Sequence, residues 1–162
     1  MRMTVVIVCK TREDAEGVYD RLKPYLTTRG LELSKEKTRI VNISEGFNFL
    51  GFNIRMFPTW YGEILLTRPS KETMKKSKEK IREIFQKCNG RKTDDLIRQL
   101  NPVIIGLAGY WSPFNSKQAF KEIDDYIWKK TVKYLKRCHH NKGIKWIWKR
   151  YFATDKTLCV TV

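Results

Sequence analysis

The stretch SEGFNFLGFNIRMFPTWYGEILLTRPS, residues 44–70, decides the fold because the pattern changes there from strand-like to helical. Glu45-Gly46 and Tyr61-Gly62 are turn dipeptides, and the apolar segments that follow them have strand length, which predicts an antiparallel hairpin. Alternation over 47–54 predicts one strand face with Phe47, Phe49, Gly51 and Asn53, and an opposite face with Asn48, Leu50, Phe52 and Ile54. After Pro69, Ser70 is a typical helix N-cap residue.

The residues before this stretch predict one helix and several strands. Residues 4–9, TVVIVC, form a continuous β-branched segment of the kind found in buried strands. A helix is expected over 11–30, with Thr11 as its N-cap and Gly30 at its end. Its apolar positions recur at helical spacing at Ala15, Val18, Tyr19 and Leu22. Short strands are expected next, around Leu31, Leu33, Ile40 and Val41.

The residues after Ser70 predict helices. The first helix carries an apolar stripe of Met74, Ile81, Ile84, Phe85 and Cys88. A second helix begins at Thr93, and Pro102 is expected to begin a further helical piece. Ser116 is expected to cap a long helix with Phe120, Ile123, Ile127, Tyr134 and Cys138 facing inward. The predicted fold class is α+β: a small antiparallel sheet with one helix in residues 1–68, then a mostly α-helical bundle in residues 69–162.

Most of the net charge lies in the helical half. The 162-residue chain carries +16, of which residues 1–68 contribute +3 (11 basic, 8 acidic) and residues 69–152 contribute +13 (21 basic, 8 acidic). Such a field attracts polyanions, so nucleic acid is the first partner to expect and an anionic membrane surface the second. The residues expected to contact phosphates are Lys71, Lys75, Lys78, Arg82, Lys121, Lys129, Lys130, Lys133, Lys136, Arg137, Lys145, Lys149 and Arg150.

Aromatic side chains are interleaved with these cations and could stack on unpaired bases. They are Tyr110, Trp111, Trp128, Trp146, Trp148 and Tyr151. A core position is the favoured interpretation for Tyr110, Trp111 and Trp128. Trp146 and Trp148 alternate with lysines, and for them core and surface are both open.

The sequence shows no motif of nucleotide-binding loops, zinc proteases or serine hydrolases. Asp94-Asp95 and Asp124-Asp125 are adjacent pairs on helices, where successive residues diverge by about 100°, so helix capping and charge neutralisation are the favoured interpretations. The run Cys138-His139-His140 could bind a metal, but no second cluster completes a site. Widely spaced cysteines and the lack of a signal peptide or long apolar span predict a cytoplasmic, reducing setting, with no cofactor and no membrane.

Several segments resemble reverse transcriptases of the group II intron type. LSKEKTRIVNI (33–43) resembles the family's LS-x-x-KT-x-I block, and GFNFLGFNIR (46–55) resembles the F-x-FLGF block of the primer-grip hairpin. VVIVCKTREDAE (5–16) resembles the sequence that follows the catalytic YADD box. Residues 96–137 and 146–152 resemble the thumb, or X, domain of group II intron maturases. The segments occur in the family's order and cover nearly the whole chain.

The resemblance implies a role for several residues. Lys37 matches a lysine near the incoming nucleotide, where it could donate a proton to the leaving group. Phe49, Leu50, Gly51 and Phe52 match the primer grip, and the basic helices after Ser70 match a thumb that lies along RNA-containing duplex or intron RNA. The chain departs from the family where the two catalytic aspartates would stand, because Met3 and Thr4 occupy those positions. Polymerase activity is therefore not carried over, and Mg²⁺ would belong to the full-length polymerase only.

These observations support three hypotheses. The leading one is an RNA-binding maturase module, with the palm end in residues 1–68 and the thumb/X domain in residues 69–162, that grips structured group II intron RNA and assists splicing. The alternative is the C-terminal piece of a reverse transcriptase that needs a separate fingers/palm chain. The third is a remnant that binds polyanions in general. Pairing of two copies through the edge of residues 4–9 is also expected.

Overall fold

The computed structural model describes residues 5–32, 34 and 38–152, and the chain divides into two compact units, Met1–Thr67 and Arg68–Val162. Within the described residues it has a three-stranded sheet of order β1-β2-β3 and five helices, which confirms the predicted α+β class. The elements are α1 (Arg12–Thr27), β1 (Phe47–Phe49), β2 (Phe52–Thr59), β3 (Gly62–Pro69), α2 (Lys71–Lys87), α3 (Thr93–Trp111), α4 (Lys117–Cys138) and α5 (Ile144–Tyr151).

A two-residue turn, Leu50-Gly51, joins β1 to β2. Both residues have positive φ angles, 47° at Leu50 and 83° at Gly51, as a type I′ hairpin turn requires. The turn aligns Phe49 with Phe52 and Phe47 with Ile54. Because opposed residues of an antiparallel pair point to the same face, these four apolar side chains share one face of the hairpin.

The predicted alternation through 47–54 as one strand is therefore wrong. It placed Phe49 and Phe52 on opposite faces, but the turn between them brings both to the same side. The polar side of the hairpin holds Asn48 and Asn53, whose side chains are joined by a hydrogen bond from Asn53 Nδ2 to Asn48 Oδ1 of 2.9 Å. The sequence FNF-LG-FNI has the same order of apolar and polar residues on both sides of the turn. The apolar residues therefore share one face of the hairpin, and the two asparagines share the other.

The predicted turn at Glu45-Gly46 is present and packs tightly against β2. The side chain of Asn42 accepts hydrogen bonds from the backbone N–H and the hydroxyl of Ser44, at 3.0 and 2.9 Å. A Cβ atom on Gly46 would lie 2.8 Å from the Cβ of Arg55, and its φ of 81° favours glycine. Only a glycine fits this close approach without displacing β2.

The predicted first helix is confirmed as α1. The Thr11 side chain accepts a hydrogen bond from the backbone N–H of Asp14 at 3.1 Å, so Thr11 is the N-cap. Ala15, Val18 and Leu22 are half-buried along one side, while the side chain of Tyr19 lies outside the described residues. The helix ends at Thr27, and Gly30 follows with a φ of 66°.

Two predicted strand regions are absent from the described part of this unit. Residues 5–9 are not in a strand, and Val5 to Val8 are exposed; Ile40 and Val41 are likewise exposed and outside any strand. Thr4 and Leu33 lie outside the described residues. A segment that is apolar on both faces becomes a strand only where neighbouring strands accept its backbone hydrogen bonds, and the sheet of the described residues contains β1 to β3 alone. The expected pairing of two copies through this segment stays a prediction.

The second unit is built around α2, which packs against both α3 and α4. Ser70 caps α2 as predicted, accepting a hydrogen bond from the N–H of Thr73 at 3.2 Å. The predicted stripe of α2 is buried throughout, and α3 and α4 contribute further core side chains. The buried residues of the helical core are Met74, Ile81, Ile84, Phe85, Cys88, Leu96, Leu100, Trp111, Ala119, Ile123, Tyr134, Leu135 and Ile147.

The α3 helix begins at Thr93 as predicted but continues through Pro102, where a new helical piece was expected. Proline removes the hydrogen bond to the carbonyl oxygen four residues earlier, that of Arg98. Arg98 and Pro102 are both exposed, so water can hydrate that carbonyl. The helix tolerates the proline because the lost bond lies on its solvent side.

The corner between α3 and α4 corrects the predicted role of Ser116. Ser116 stands at the N-cap position of α4 as predicted, but its hydroxyl makes no capping hydrogen bond and instead donates one to the backbone oxygen of Trp111 at 2.9 Å. The buried ring of Trp111 packs against Phe120 with ring centres 5.8 Å apart. The hydrogen bond of Ser116 therefore connects the end of α3 to the start of α4.

The side chain of Tyr134 connects α4 to the loop between α2 and α3. Its hydroxyl donates a hydrogen bond of 2.7 Å to the backbone oxygen of Arg91, and its ring meets that of Phe85 nearly edge-on at 6.2 Å. Burial, followed by a hydrogen bond with Cys138, raises the pKa of Tyr134 to about 12. Cys138 itself, predicted to face inward, is exposed.

Replacing Leu50 by asparagine is expected to stabilise the β1–β2 hairpin by about 1 kcal/mol, because a left-handed conformation costs a branched side chain roughly that much and asparagine tolerates it. Hydrogen exchange of the hairpin amides measures the change, and slower exchange is expected. The matched control is Leu65→Asn, a similarly exposed leucine on β3 without a positive φ, which is expected to give no stabilisation. Equal effects of both substitutions would contradict the strain at Leu50.

The raised pKa of Tyr134 predicts a loss of stability at high pH. An unfolded tyrosine ionises near pH 10, so between pH 10 and 12 the unfolded chain loses a proton that the folded chain keeps, and the free energy of unfolding falls. The stabilisation is complete below pH 10, and its full loss amounts to about 3 kcal/mol, since one pKa unit corresponds to about 1.4 kcal/mol. Urea unfolding of wild type and Tyr134→Phe from pH 8 to 12 measures it. The two stability curves should converge above pH 10, and parallel curves would refute the prediction.

Candidate nucleic-acid interface

An open groove of about 640 Å³ runs along the C-terminal half of α4. It is lined by Trp128, Lys129, Val132, Lys133, Lys136, Arg137 and His140. We call these seven residues the α4 groove. Lining positions three and four residues apart lie on one side of a helix, so four cations line the same side of α4.

Among the residues that the structure describes, no carboxylate lines the groove, and the surrounding sequence explains why. Residues 126–152 contain nine lysines and arginines and no aspartate or glutamate. The acidic residues of α4, Glu122, Asp124 and Asp125, all lie in its first half. The positive potential of the groove is therefore not neutralised by nearby side chains of the same segment.

The structure divides the predicted basic residues of α4 into two sets. Lys129, Lys133, Lys136 and Arg137 line the groove. Lys121 and Lys130 do not line it; the ammonium group of Lys130 lies 5.3 Å from the ring centre of Tyr126, over its face.

The basic residues of α2 have two different environments. Lys71, Lys75 and Arg82 are exposed, and their contacts with phosphates stay a prediction. Lys78 instead forms an ion pair of 3.1 Å with Glu122, which joins α2 to α4. A partly exposed pair of this kind contributes about 0.2–1 kcal/mol, and it reduces the charge that Lys78 offers to a ligand.

The α5 helix presents Lys145, Lys149 and Arg150 to solvent and is held by a buried residue, Ile147. Trp148 packs against Trp128 with ring centres 5.0 Å apart, and Phe152 packs against both, at 4.7 Å from Trp128 and 5.4 Å from Trp148. We call Trp128, Trp148 and Phe152 the tryptophan cluster. It connects α5 to one end of the α4 groove, because Trp128 belongs to both.

A second set of ring contacts lies at the end of α4. His139 Nε2 and the hydroxyl of Tyr151 are 2.7 Å apart, and the His139 ring meets Trp146 at 5.1 Å. These contacts give His139 a packing role between α4 and α5. In the described residues no group of three or more histidines, cysteines or carboxylates is placed to hold a metal ion.

The aromatic residues are more exposed than predicted. Trp111 is buried as expected, but Tyr110 is 49% and Trp128 is 38% exposed, so the core interpretation was wrong for these two. Trp146 and Trp148, for which both positions were open, are also partly exposed. Part of the side chains of Trp128, Trp146 and Trp148 is therefore exposed in the same segment as the cations of α4 and α5.

The residues of the predicted primer grip form the β1–β2 turn, with Leu50 exposed at its tip and Phe52 buried beneath it. This geometry describes the hairpin but does not test whether it binds a primer, so that role stays a prediction. Lys37, the predicted nucleotide-site lysine, lies outside the described residues.

Sequence reasoning missed one exposed feature of the first unit. Trp60 and Tyr61 form the tip of the β2–β3 hairpin and are 94% and 97% exposed. Their position before Gly62 in a predicted turn was the available signal, because a turn places its central side chains in solvent. None of the residues predicted to contact phosphates belongs to this hairpin tip.

None of the helices within the described ranges is long and apolar enough to cross a membrane. No curated protein matches the chain significantly in sequence. Residues 74–152 match the family model of the group II intron, maturase-specific domain, a range that contains nearly all of α2 and the whole of α3, α4 and α5. The match confirms the resemblance of the C-terminal part: residues 74–152 are similar to the group II intron, maturase-specific domain.

Proposed function

We propose that this protein binds structured group II intron RNA through the helical unit and assists splicing by stabilising the folded RNA. The observation that carries the proposal is the α4 groove, in which four cations lie on one side of a helix with no carboxylate among the lining residues. The family match directs the choice of polyanion to intron RNA. The proposal concerns binding alone and includes no catalytic step.

The spacing of the cations suits a phosphate backbone. Lys129, Lys133 and Arg137 follow one another at four-residue intervals, and each interval advances about 6 Å along the helix. This is close to the distance between successive phosphates of one RNA strand. Each cation that reaches a phosphate releases a bound counterion, which makes the affinity depend on salt.

The exposed cations of α2 and α5 are further candidates for contacts with the RNA. Lys71, Lys75 and Arg82 are the members from α2, and Lys145, Lys149 and Arg150 are the members from α5. An A-form helix offers phosphates and 2′-hydroxyl groups on a wide, shallow groove, so a broad basic helical surface is suited to it.

Assistance of splicing follows from preferential binding. A protein that binds the compact RNA more tightly than the unfolded RNA shifts the folding equilibrium by its difference in affinity. The proposed surface recognises the charge and the shape of the RNA. Its binding therefore favours the folded RNA only if folding brings phosphates together over the basic surface.

Substitution of groove lysines by glutamine is expected to reduce the salt dependence of RNA binding. Each lost phosphate contact should lower the slope of log affinity against log salt by about one, so the double variant Lys129→Gln/Lys133→Gln should lose about two. Fluorescence anisotropy with a group II intron transcript, titrated at several potassium chloride concentrations, measures the slope.

The control is Lys10→Gln, an exposed lysine of the first unit that is outside the predicted contact set, and its slope should equal that of wild type. A splicing assay at low magnesium completes the test, and the double variant should lower the rate of protein-assisted splicing. The proposal is wrong if the double variant and the Lys10 control bind with the same salt dependence.

A further inference from the structure

The α4 groove contains more apolar surface than a site for phosphates needs. Trp128 and Val132 lie among its cations, and the methylene chains of the lysines add further apolar surface. Phosphates require charge and hydrogen-bond donors only. A flat apolar surface beside cations instead fits a nucleotide, whose base is a planar ring and whose flanking phosphates are anionic.

Trp128 is held in place before any ligand binds. Its ring packs against Trp148 and Phe152, with tilts of 55° and 56° between the ring planes. It also lines the groove and is 38% exposed, so part of the side chain that the cluster leaves uncovered faces the groove. A side chain held in this way loses little conformational entropy when a base stacks on it.

The dimensions of the groove match one nucleotide with its neighbouring phosphates. Trp128 and Arg137 are nine residues apart on α4, which corresponds to about 14 Å along the helix axis. Lys129 directly follows Trp128, and Lys133 lies near the middle of that length.

We propose that the α4 groove binds an unpaired nucleotide of the RNA, with its base stacked on Trp128 and its flanking phosphates beside Lys129, Lys133 and Arg137. This inference rests on the proposed function and deepens it, because it assigns to one site a preference for a bulged or looped nucleotide. A fully paired strand keeps its bases stacked inside the duplex, so it offers the groove phosphates but no base. The site therefore distinguishes RNAs by the presence of an unpaired residue.

The binding test uses two RNA hairpins that are identical except for one bulged 2-aminopurine. Stacking on an aromatic side chain favours a base enough to raise affinity about tenfold, so the wild-type protein should bind the bulged hairpin about tenfold more tightly than the paired one. The fluorescence of the bulged 2-aminopurine should fall on binding as the base stacks. Equal affinities for the two hairpins would overturn the inference, even if both affinities depend on Lys129 and Lys133.

Substitutions at Trp128 test whether this side chain causes the preference for the bulged hairpin. Trp128→Leu keeps apolar contact with the tryptophan cluster but removes the aromatic face, and it should reduce the tenfold preference to about one while leaving the salt dependence unchanged. Trp128→Phe should retain part of the preference. The matched control is Trp146→Leu, a tryptophan that contacts His139 and does not line the groove; its preference should remain that of wild type. A loss of preference in the Trp146 variant equal to that in the Trp128 variant would overturn the assignment.

A crosslinking experiment on the unaltered protein gives a result that does not depend on the folding of the variants. A photoreactive 4-thiouridine at the bulge should crosslink to residues of the α4 groove, and a crosslink confined to other residues would contradict the site. A polyglutamate peptide of equal charge serves as competitor. It should displace the paired and bulged hairpins at different concentrations, whereas displacement of both at the same concentration would show a site for negative charge alone.

The outcomes separate the inference from the proposed function. If the protein binds both hairpins with equal affinity and the lysine variants lower the salt dependence, RNA binding stands and the nucleotide site is wrong. If the lysine variants leave the salt dependence unchanged, the proposed function fails at its own test.

Discussion

The apolar seam between α2, α3 and α4 is the interaction on which the helical unit depends, because the charges on its surface repel one another. Residues 69–152 carry a net charge of +13, and the ion pair between Lys78 and Glu122 offers only about 0.2–1 kcal/mol. Burial of a single large apolar side chain contributes about 1.5–3 kcal/mol. The fully buried Ile81, Trp111 and Leu135 therefore outweigh the ion pair by magnitude, so the unit does not depend on pairing its surface charges.

The attachment of α5 to α4 also prepares the proposed site. Ile147 is buried, and the tryptophan cluster joins the helix to Trp128. Because Trp128 faces both this cluster and the α4 groove, the contacts that attach α5 also hold the stacking surface in position. A change that loosened α5 would therefore leave the Trp128 ring less firmly positioned in the groove, although all the cations of the groove would remain.

The helices of this protein could be predicted from the sequence, because their signals are local. The stripe on α2 and the caps at Thr11 and Ser70 depend on spacing and on hydrogen bonds within one turn of chain. Local signals were less reliable where a partner element decides the outcome. Residues 5–9 have the composition of a strand but lack strand neighbours in the described sheet, and Pro102 lies within a helix because its solvent side can be hydrated.

The candidate site could be predicted in part for the same reason. The cations that line the α4 groove were identified from their excess and their periodicity, since charged residues of a helix stay on its surface. Trp128 was assigned to the core, because sequence alone does not show that packing against Trp148 and Phe152 covers one part of the ring and leaves another exposed. In the hairpin, a leucine at a positive φ hid the turn at Leu50-Gly51, since that conformation is usually signalled by asparagine or glycine.

The distribution of charge along α4 reconciles the binding surface with the stability of the helix. The C-terminal end of a helix carries a partial negative charge, and each cation in the last turn stabilises it by about 0.3–1 kcal/mol. Lys136 and Arg137 occupy that turn, and the acidic residues of the helix lie in its other half. Clustering cations at this end therefore offsets part of their mutual repulsion, which the same cluster at the N-terminal end would increase. The groove lies at the end of α4 where a dense positive surface destabilises the helix least, and a reversal of the charge order along α4 would lower the stability of the helix.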